Sequence, residues 1–402
     1  MKHTLATVLA LALLALLAAC APSPSAPAAS APKAPAAPTT AAPTTTAKTA
    51  AATTTPTVAP TAVAKAAGGA TPTTIPLPAT ASAAAKAAAP TAATGGALTK
   101  VTIAMGFAPN MQFAPYYVAA DKGYYAQEGL DVEFKHGQVQ DVLKLVADGQ
   151  IPFAITSGDA LIRARAAGIP VTYILRQFTK YPVGALALAD PAKPLKSPAD
   201  LKGRTVGISG PGSSTDMGLK ALQKAAGLTD ADMTVTNVGF AETEALTQKH
   251  IDVAMTYLPN ESAQMKAQGY NVETVQVSPY VDLVSTGLAT GETTIKNNPD
   301  LVQRFVRATL RGLKDMQADP NAAFAASLKQ MPEVTPDKQP SQKAVLDATL
   351  EFEAPVQGKP LGWIDPQGWK TTFDFLKSIN MVQGSPDLEA MYTNRFVDTA
   401  RP

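Results

Sequence analysis

The chain has 402 residues, of which 34 are basic and 32 acidic, for a formal net charge of +2, and it contains a single cysteine. This length can bury one or two hydrophobic cores, and one cysteine excludes a disulfide within the chain. Six of the lysines and none of the acidic residues lie in the first 100 positions, so the remainder has 28 basic and 32 acidic residues, a net charge of −4. That remainder has no basic stripe with interleaved aromatic residues, and we expect no nucleic-acid partner.

A short apolar segment opens the chain and ends at Leu17-Ala-Ala-Cys20. Lys2 supplies a positive start, the apolar run is too short to span about 30 Å of hydrocarbon, and small residues precede the cysteine. We predict a lipoprotein signal peptide over residues 1–19 and a lipid on Cys20, which would anchor the protein outside the cytoplasmic membrane. The alternative is an uncleaved anchor with a chance cysteine.

Residues 20–97 are dominated by Ala, Pro, Thr and Ser and contain no aromatic or acidic residue. Such side chains bury little apolar surface, and proline removes backbone donors. The composition therefore predicts a disordered, partly extended tether.

From Lys100 onward, strand patterns alternate with helix patterns. Strands are predicted at 101–105, 130–134, 153–155, 171–175, 205–208, 234–238, 253–255 and 272–275. Helices are predicted at 116–125, 139–149, 159–167, 197–203, 215–226 and 241–249, and in a mostly helical stretch from about Leu283 at 301–317, 342–352 and 367–379. This alternation favours βαβ units around a parallel sheet, with the strand ends and the following loops on one edge.

Five segments of this body carry a family resemblance. They are Phe107-Ala-Pro-Asn-Met-Gln-Phe-Ala-Pro-Tyr-Tyr-Val-Ala-Ala120, Lys122-Gly-Tyr-Tyr-Ala-Gln-Glu-Gly-Leu-Asp-Val-Glu133, Leu195-Lys-Ser-Pro-Ala-Asp-Leu-Lys-Gly-Arg-Thr-Val-Gly207, Ile251-Asp-Val-Ala-Met-Thr-Tyr-Leu-Pro-Asn-Glu261, and Gly362-Trp-Ile-Asp365 followed by Trp369. Through them the sequence resembles the type II solute-binding proteins of ABC importers, in the branch that takes thiamine pyrimidine precursors, riboflavin, alkanesulfonates, taurine and nitrate.

The resemblance implies an α/β fold of the type II periplasmic-binding-protein class, with two α/β lobes, a hinge and a ligand cleft between the lobes. With the order of elements, it predicts lobe 1 over residues 98–188 and 283–402 and lobe 2 over residues 189–282. It also implies an ABC permease and its ATPase subunits as partners.

The loop after the first strand offers aromatic and amide side chains that suit a flat ligand. We predict ligand contacts from Asn110, Gln112, Phe113, Tyr116 and Tyr117. Alternatively, the two tyrosines are ordinary residues of the first helical turn, one in the core and one in solvent. Thiamine-pyrimidine binders resembling this chain often carry a histidine where Phe113 stands.

A Gly/Ser loop joins a predicted strand to a predicted helix, and such loops expose backbone N–H groups to electronegative ligand atoms. We predict ligand contacts from Gly210, Gly212, Ser213, Ser214 and Thr215. Either Ser213 or Ser214 is alternatively only the helix N-cap. No lysine follows in the place that a phosphate-binding P-loop requires.

Tyr257, Asn260 and Glu261 follow another strand, and similar positions in pyrimidine-precursor binders stack on the ring and accept its N–H bonds. A carboxylate here disfavours an anionic ligand. Glu261 is alternatively the exposed start of a helix.

Further cleft candidates lie at strand ends of lobe 1. They are Ser157, Arg176, Gln177 and Phe178. Arg176 is the obvious bidentate ligand for an anion. Trp363 either caps the cleft or packs in the core.

A fungal relative of this fold synthesises the thiamine pyrimidine with a cysteine-rich motif and histidines. Here no cysteine follows Cys20, and His136 and His250 lie on polar stretches where we expect them to be solvated. We therefore predict a binding protein without catalytic residues, cofactor or metal. The expected ligand is riboflavin, with a thiamine aminopyrimidine precursor second. The alternatives are an alkanesulfonate, taurine or nitrate binder, or a pyrimidine-synthesising enzyme.

Overall fold

A computed structural model describes residues 97–138 and 140–400. The signal peptide predicted over residues 1–19, lipidation of Cys20 and nearly all of the tether lie outside the described residues. So does Val139, the first residue of one predicted helix.

The described part of the chain forms ten strands and thirteen α-helices. The strands are β1 Thr99–Ala104, β2 Leu130–Lys135, β3 Phe153–Ser157, β4 Val171–Arg176, β5 Val183–Leu188, β6 Thr205–Ile208, β7 Thr234–Asn237, β8 Val253–Tyr257, β9 Val272–Gln276 and β10 Thr286–Gly291. The helices are α1 Ala114–Asp121, α2 Tyr124–Gln127, α3 Val142–Ala147, α4 Gly158–Ala166, α5 Ser214–Ala226, α6 Glu242–Thr247, α7 Glu261–Ala267, α8 Glu292–Asn297, α9 Pro299–Ala318, α10 Pro320–Leu328, α11 Gln339–Phe352, α12 Pro366–Ser378 and α13 Arg395–Ala400.

These strands form two five-stranded sheets, in the orders β2-β1-β3-β10-β4 and β7-β6-β8-β5-β9. The predicted alternation of strands and helices is confirmed, but the prediction of purely parallel pairing is wrong. In the first sheet, β10 runs antiparallel to both of its neighbours. In the second sheet, β5 runs antiparallel to both of its neighbours.

The two antiparallel strands are also the two that the sequence analysis missed. Their sequences, Val-Gly-Ala-Leu-Ala-Leu and Thr-Gly-Leu-Ala-Thr-Gly, contain glycine and alanine, which strands generally disfavour. The small residues are required by close packing. A Cβ at Gly287 would overlap the Tyr173 hydroxyl, and one at Gly184 would overlap the Leu258 side chain.

The same two strands define how the chain passes between the lobes. It crosses from the first sheet to the second between β4 and β5 and returns between β9 and β10. The predicted boundary after residue 188 had assigned β5 to lobe 1, whereas its hydrogen bonds with β8 and β9 place it in the second sheet. After β9, the chain returns to the first sheet as β10.

The long helix α9 anchors this C-terminal stretch on lobe 1. Its buried side chains recur every three or four residues and face α1 and the first sheet. Phe305 stacks on Phe153 with 4.1 Å between ring centroids and on Tyr125 with 5.1 Å. Burying one such ring contributes about 1.5–3 kcal/mol, so this stack fixes the helix on the sheet that carries one wall of the site.

Helix boundaries near the site follow local sequence rules. The helix predicted at 116–125 is interrupted at Gly123, which has a left-handed backbone (φ 69°) and separates α1 from α2. The short helix predicted at 197–203 is a 3-10 turn, Pro198–Leu201, with a capping box between Ser197 and Asp200.

Candidate functional site

A cavity of about 310 Å³ lies where the loops of the two sheets face each other. Lobe 1 contributes the loop after β1, the end of β3, the start of α4 and the start of β10. Lobe 2 contributes the loops after β6, β7 and β8. The lining residues are Met105, Gly106, Phe107, Gln112, Phe113, Gln138, Ile155, Thr156, Ser157, Ala160, Arg163, Ser209, Gly212, Ser213, Ser214, Thr215, Phe240, Glu242, Thr256, Tyr257, Asn260, Glu261 and Thr286. Ligand pockets have volumes from about 300 to 1,000 Å³, so this cavity can hold a small molecule.

Ten of the eighteen predicted ligand contacts lie in the wall of this cavity. They are Gln112, Phe113, Ser157, Gly212, Ser213, Ser214, Thr215, Tyr257, Asn260 and Glu261. Both the Gly/Ser loop and the segment after β8 are therefore part of the cleft, on the lobe 2 side.

Four predicted contacts lie behind the wall, in the interior of lobe 1. Tyr116 and Tyr117 are both fully buried in the hydrophobic core, so neither faces solvent or the cavity. Asn110 is buried and hydrogen-bonded to Asn260. Gln177 is buried and donates from Nε2 to the Gln112 carbonyl at 2.7 Å, so it supports a residue of the wall.

The other four lie elsewhere. Arg176 and Phe178 line a separate cavity of about 20 Å³, whose wall also contains Asp282 and Asp365. Gly210 belongs to the Gly/Ser loop but is not in the cavity wall. Trp363 is half-buried, with the Lys359 ammonium 4.3 Å from its ring centroid, and is also absent from the wall.

Two phenylalanines meet at the cavity from opposite lobes. Phe107 follows β1 and Phe240 follows β7, and their ring centroids lie 5.2 Å apart, edge to face. Phe240 is 52% exposed, unusual for so large an apolar side chain. Phe240 was not among the predicted contacts, although its place after a strand end was a usable signal.

The cavity contains two carboxylates, and their environment makes both reluctant to ionise. Burial, reinforced by the charge of Glu242, raises the pKa of Glu261 to about 8. Burial also raises the pKa of Glu242, whose Oε1 accepts a hydrogen bond from Ser209 Oγ at 2.5 Å. Oε1 of Glu261 accepts from Asn260 Nδ2 at 2.7 Å, while its Oε2 is shielded from solvent without a partner. Glu242 was not among the predicted contacts because it lies within the helix predicted at 241–249, at the start of α6.

Hydroxyl groups cluster at the N-terminus of α5. Ser213 is the N-cap, because its Oγ accepts from the Asp216 N–H at 3.2 Å, and it also lines the cavity. Thr215 Oγ1 accepts from the Ser209 N–H at 2.9 Å and lies 2.8 Å from Ser213 Oγ. Ser213 is therefore both the N-cap of α5 and part of the cavity wall. This corner presents several small donors and acceptors to the cavity.

Arg163 is a basic residue of the cavity wall that the sequence analysis missed. It lies on α4, one turn beyond the helix start, so only the fold shows that it faces the cleft. Its charge is paired: Nη2 lies 3.3 Å from the fully buried Asp159 carboxylate and donates to the Gly212 carbonyl at 2.8 Å. The second of these bonds joins lobe 1 to lobe 2.

His136 lies behind the aromatic wall, contrary to the expectation that it is solvated. It is half-buried, with its Nδ1 3.3 Å from the Phe107 carbonyl and its Nε2 3.1 Å from the Tyr117 hydroxyl. Burial lowers the pKa of the imidazole. Since a carbonyl only accepts, Nδ1 carries the proton and Nε2 accepts from Tyr117. The ring of Phe113, which lines the cavity, lies 5.9 Å from the His136 ring.

Within residues 97–138 and 140–400, no group of three or more His, Cys, Asp or Glu side chains could hold a metal ion. The same residues include no helix that is both long and apolar enough to cross a membrane.

The structure has two α/β lobes, the chain passes between them twice, and a cavity lies between their loops. This is the architecture of the periplasmic binding proteins. A solved structure of this class is the periplasmic aliphatic sulphonate binding protein SsuA from Escherichia coli. It superposes with a TM-score of 0.57 over 73% of this chain and 91% of its own, at 17% identity. Residues 110–323 match the model of the NMT1/THI5 like family, and the chain belongs to that family.

Curated relatives cover most of the described residues. The riboflavin-binding protein RibY of Chloroflexus aurantiacus is 39% identical over 77% of this chain and 91% of its own length. The formylaminopyrimidine-binding protein of Halalkalibacterium halodurans is 28% identical over 71% of this chain and 87% of its own. A 4-amino-5-hydroxymethyl-2-methylpyrimidine phosphate synthase of Legionella pneumophila is 23% identical over 74% of this chain and 92% of its own. The resemblance inferred from the sequence is thereby confirmed.

Proposed function

We propose that the protein is the extracytoplasmic binding component of an ABC importer and captures a flat heteroaromatic vitamin or vitamin precursor. Riboflavin is the first candidate and a thiamine aminopyrimidine precursor is the second. The observation that carries this proposal is the inter-lobe cavity, whose wall combines aromatic rings with two carboxylates of raised pKa.

The aromatic part of the wall suits a planar ring system. Phe107 and Phe240 approach from opposite lobes, and Phe113 and Tyr257 also line the cavity. Aromatic side chains bury large areas of a flat ligand and add about 0.5–1.5 kcal/mol per ring pair beyond that burial. A ligand gripped by both lobes would also favour the closed arrangement over an open one.

The polar part of the wall suits a neutral ligand with N–H and O–H groups better than an anion. Glu261 and Glu242 exchange hydrogen bonds with N–H, O–H and carbonyl groups while they are protonated, and they repel negative charge once they ionise. Arg163 already pairs with Asp159, and Arg176 lies outside the cavity. These contacts argue against the sulfonate, taurine and nitrate alternatives.

Size and relatives together rank riboflavin before the aminopyrimidine. Riboflavin has three fused rings and a hydroxylated chain, which would use both the aromatic wall and the hydroxyl cluster at α5. A single pyrimidine ring would leave much of the cavity unfilled. The relative named as a riboflavin-binding protein is also more similar to this chain than the one named for formylaminopyrimidine.

Delivery to a membrane permease is part of the same proposal. A lipid on Cys20 and a tether over residues 20–97 would keep the binding lobes near the permease and raise their local concentration there. Mass spectrometry of the protein from its native membrane tests this proposal. We expect an N-terminal diacylglyceryl cysteine at position 20, and an intact segment 1–19 would contradict it.

The ligand itself is tested by purifying the protein from cells and recording its absorbance, followed by mass spectrometry of the small molecules released on denaturation. We expect a bound flavin, or a bound aminopyrimidine as the second candidate. Recovery of taurine or an alkanesulfonate instead would refute the ligand class.

The assignment of the cavity is tested separately by two substitutions. Glu261→Ala and Tyr257→Ala should each weaken riboflavin binding at least about tenfold without unfolding the protein, since each removes a polar group of the cavity wall. Glu244→Ala is the matched control, because Glu244 is exposed on the same lobe and absent from the wall. Full affinity in both cavity variants would show that the ligand binds elsewhere.

The enzyme alternative rests on the relative named as a pyrimidine phosphate synthase. It is separated from binding by incubating the protein with each ligand and analysing the mixture by mass spectrometry. A binding protein returns the ligand unchanged, whereas a new product would move the chain to the enzyme class.

A further inference from the structure

A chain of amide hydrogen bonds crosses from lobe 1 to lobe 2 beside the cavity. Asn110 Oδ1 accepts from the Gln112 N–H at 3.0 Å, and Asn110 Nδ2 donates to Asn260 Oδ1 at 2.7 Å. Asn260 Nδ2 then donates to Glu261 Oε1 at 2.7 Å. This series of hydrogen bonds therefore begins at Gln112 in one wall of the cavity and ends at Glu261 in the opposite wall.

Only one orientation of each amide satisfies these contacts. Asn260 Oδ1 also accepts from Gln264 Nε2 at 2.6 Å, so a reversed Asn260 would direct its NH₂ at two other NH₂ groups. A reversed Asn110 would direct its NH₂ at the Gln112 N–H. Both asparagines are nearly inaccessible, at 4% and 3% exposure, so a mismatched pair could not turn to water for partners.

The direction of these hydrogen bonds also determines which oxygen of the Glu261 carboxyl remains without a partner. Oε1 of Glu261 is held by Asn260, whereas Oε2 is shielded from solvent and has no partner. Glu261 is part of the cavity wall, so a shift of this side chain brings Oε2 to a ligand: an acceptor pairs with the protonated carboxyl, and an N–H or O–H donor pairs with the ionised one.

We propose that Asn110 and Asn260 form an inter-lobe latch, and that Asn260 is a positioning residue that leaves one oxygen of Glu261 for the ligand only while the lobes are closed. This proposal rests on the proposed binding function and deepens it. Opening the cleft separates Asn110 from Asn260, releases Asn260 and frees Glu261 to move away from the ligand. Ligand recognition at Glu261 and lobe closure thus depend on the same two amides.

The sharpest perturbation is Asn110→Asp, which keeps the acceptor for the Gln112 N–H but replaces the donor that faces Asn260 Oδ1 by an oxygen. Two acceptors then oppose each other in a buried site. Asn110→Ala removes the same donor without adding charge. It is measured as a second variant, so that the test does not depend on the folding of Asn110→Asp. Asn237→Asp is the matched control, since exposed Asn237 likewise accepts an N–H, from Gly239 at 3.1 Å, but does not join the lobes.

Pulsed electron paramagnetic resonance on the full chain measures lobe closure as the distance between two spin labels. Spin labels are attached through Asp148→Cys in lobe 1 and Lys224→Cys in lobe 2, both exposed, in a Cys20→Ser background. We expect a closed, short-distance population in the ligand-free protein. It should fall by on the order of tenfold in Asn110→Asp and Asn110→Ala and remain unchanged in Asn237→Asp.

A double variant distinguishes a latch from a general packing role. With Asn110→Asp and Glu261→Gln together, Asn260 can turn over, donate to the new carboxylate and accept from the new amide, while half-buried Gln264 turns with it. We expect this double variant to regain the closed population that the single variant loses.

Each outcome decides the proposal. Absence of a closed population in the ligand-free protein, an unchanged population in both position-110 variants, or failure of the double variant to regain closure would overturn the latch. Riboflavin and formylaminopyrimidine are then added to the unmodified protein. If neither binds while the variants behave as expected, the proposed ligand class fails and the latch stands.

Discussion

Glu353 is a carboxyl group whose burial should make the stability of the protein depend on pH. It is 2% exposed at the end of α11, where its Oε1 accepts from Gln177 Nε2 at 2.8 Å. Burial raises its pKa from 4.5 to about 8, and its Oε2 has no partner. The folded state therefore holds a proton that the unfolded state has lost above pH 4.5.

The sign and size of the effect follow from this difference. A group with a raised pKa contributes its full stabilisation below pH 4.5, and this contribution is lost as the pH rises toward 8. At about 1.4 kcal/mol per pKa unit, the loss between pH 5 and pH 9 is at most about 4 kcal/mol. Glu353→Gln mimics the protonated group, because its amide accepts from Gln177 and carries no charge at any pH.

Urea unfolding of the protein and the variant at pH 5, 7 and 9 measures the difference. We expect similar free energies of unfolding at pH 5 and a variant more stable by up to about 4 kcal/mol at pH 9. Subtracting the two curves removes the contribution of Glu261, which titrates over the same range. Glu351→Gln, an exposed position on the same helix, is the control. Parallel curves for protein and variant would refute the reasoning.

Two further predictions concern the cavity mouth and the packing of lobe 2. Phe240→Ala should speed ligand release by roughly 2- to 12-fold in stopped-flow measurements, since it removes the edge-to-face partner of Phe107. The exposed aromatic Tyr270 provides the control as Tyr270→Ala, and equal rates in both variants would contradict a role for Phe240. Gly218→Ala should destabilise the protein by about 1–3 kcal/mol in thermal unfolding, because the new Cβ would lie 2.5 Å from Val183 Cγ1. A stabilised variant, as alanine in an unhindered helix would give, would disprove this close packing.

The parts of the fold that sequence patterns predicted are those governed by local rules. Strand and helix alternation follows from periodicity, and an N-cap at Ser213 or Ser214 follows from capping preferences. The strands β5 and β10 were not predicted from the sequence. Their small residues are required by close packing against distant side chains such as Tyr173 and Leu258. Local propensity carries no information about those contacts.

The residues of the site likewise fall into those that sequence context indicated and those that only the tertiary structure shows. Tyr257, at the end of β8, and Glu261, at the start of α7, were predicted as contacts from their place near a strand end and from similar positions in related binders, and both line the cavity. Arg163, within a helix, and Asn110, whose partner is 150 positions away, acquire their roles only when the lobes meet.

Titration of the full chain with riboflavin, followed by the fluorescence of the flavin, tests whether the inter-lobe cavity binds a flat heteroaromatic ligand. We expect saturable one-to-one quenching that formylaminopyrimidine competes away and that Glu261→Ala weakens at least about tenfold, while taurine has no effect. Fluorescence unchanged by the protein, together with heat of binding for taurine or nitrate but none for formylaminopyrimidine, would contradict the proposed function.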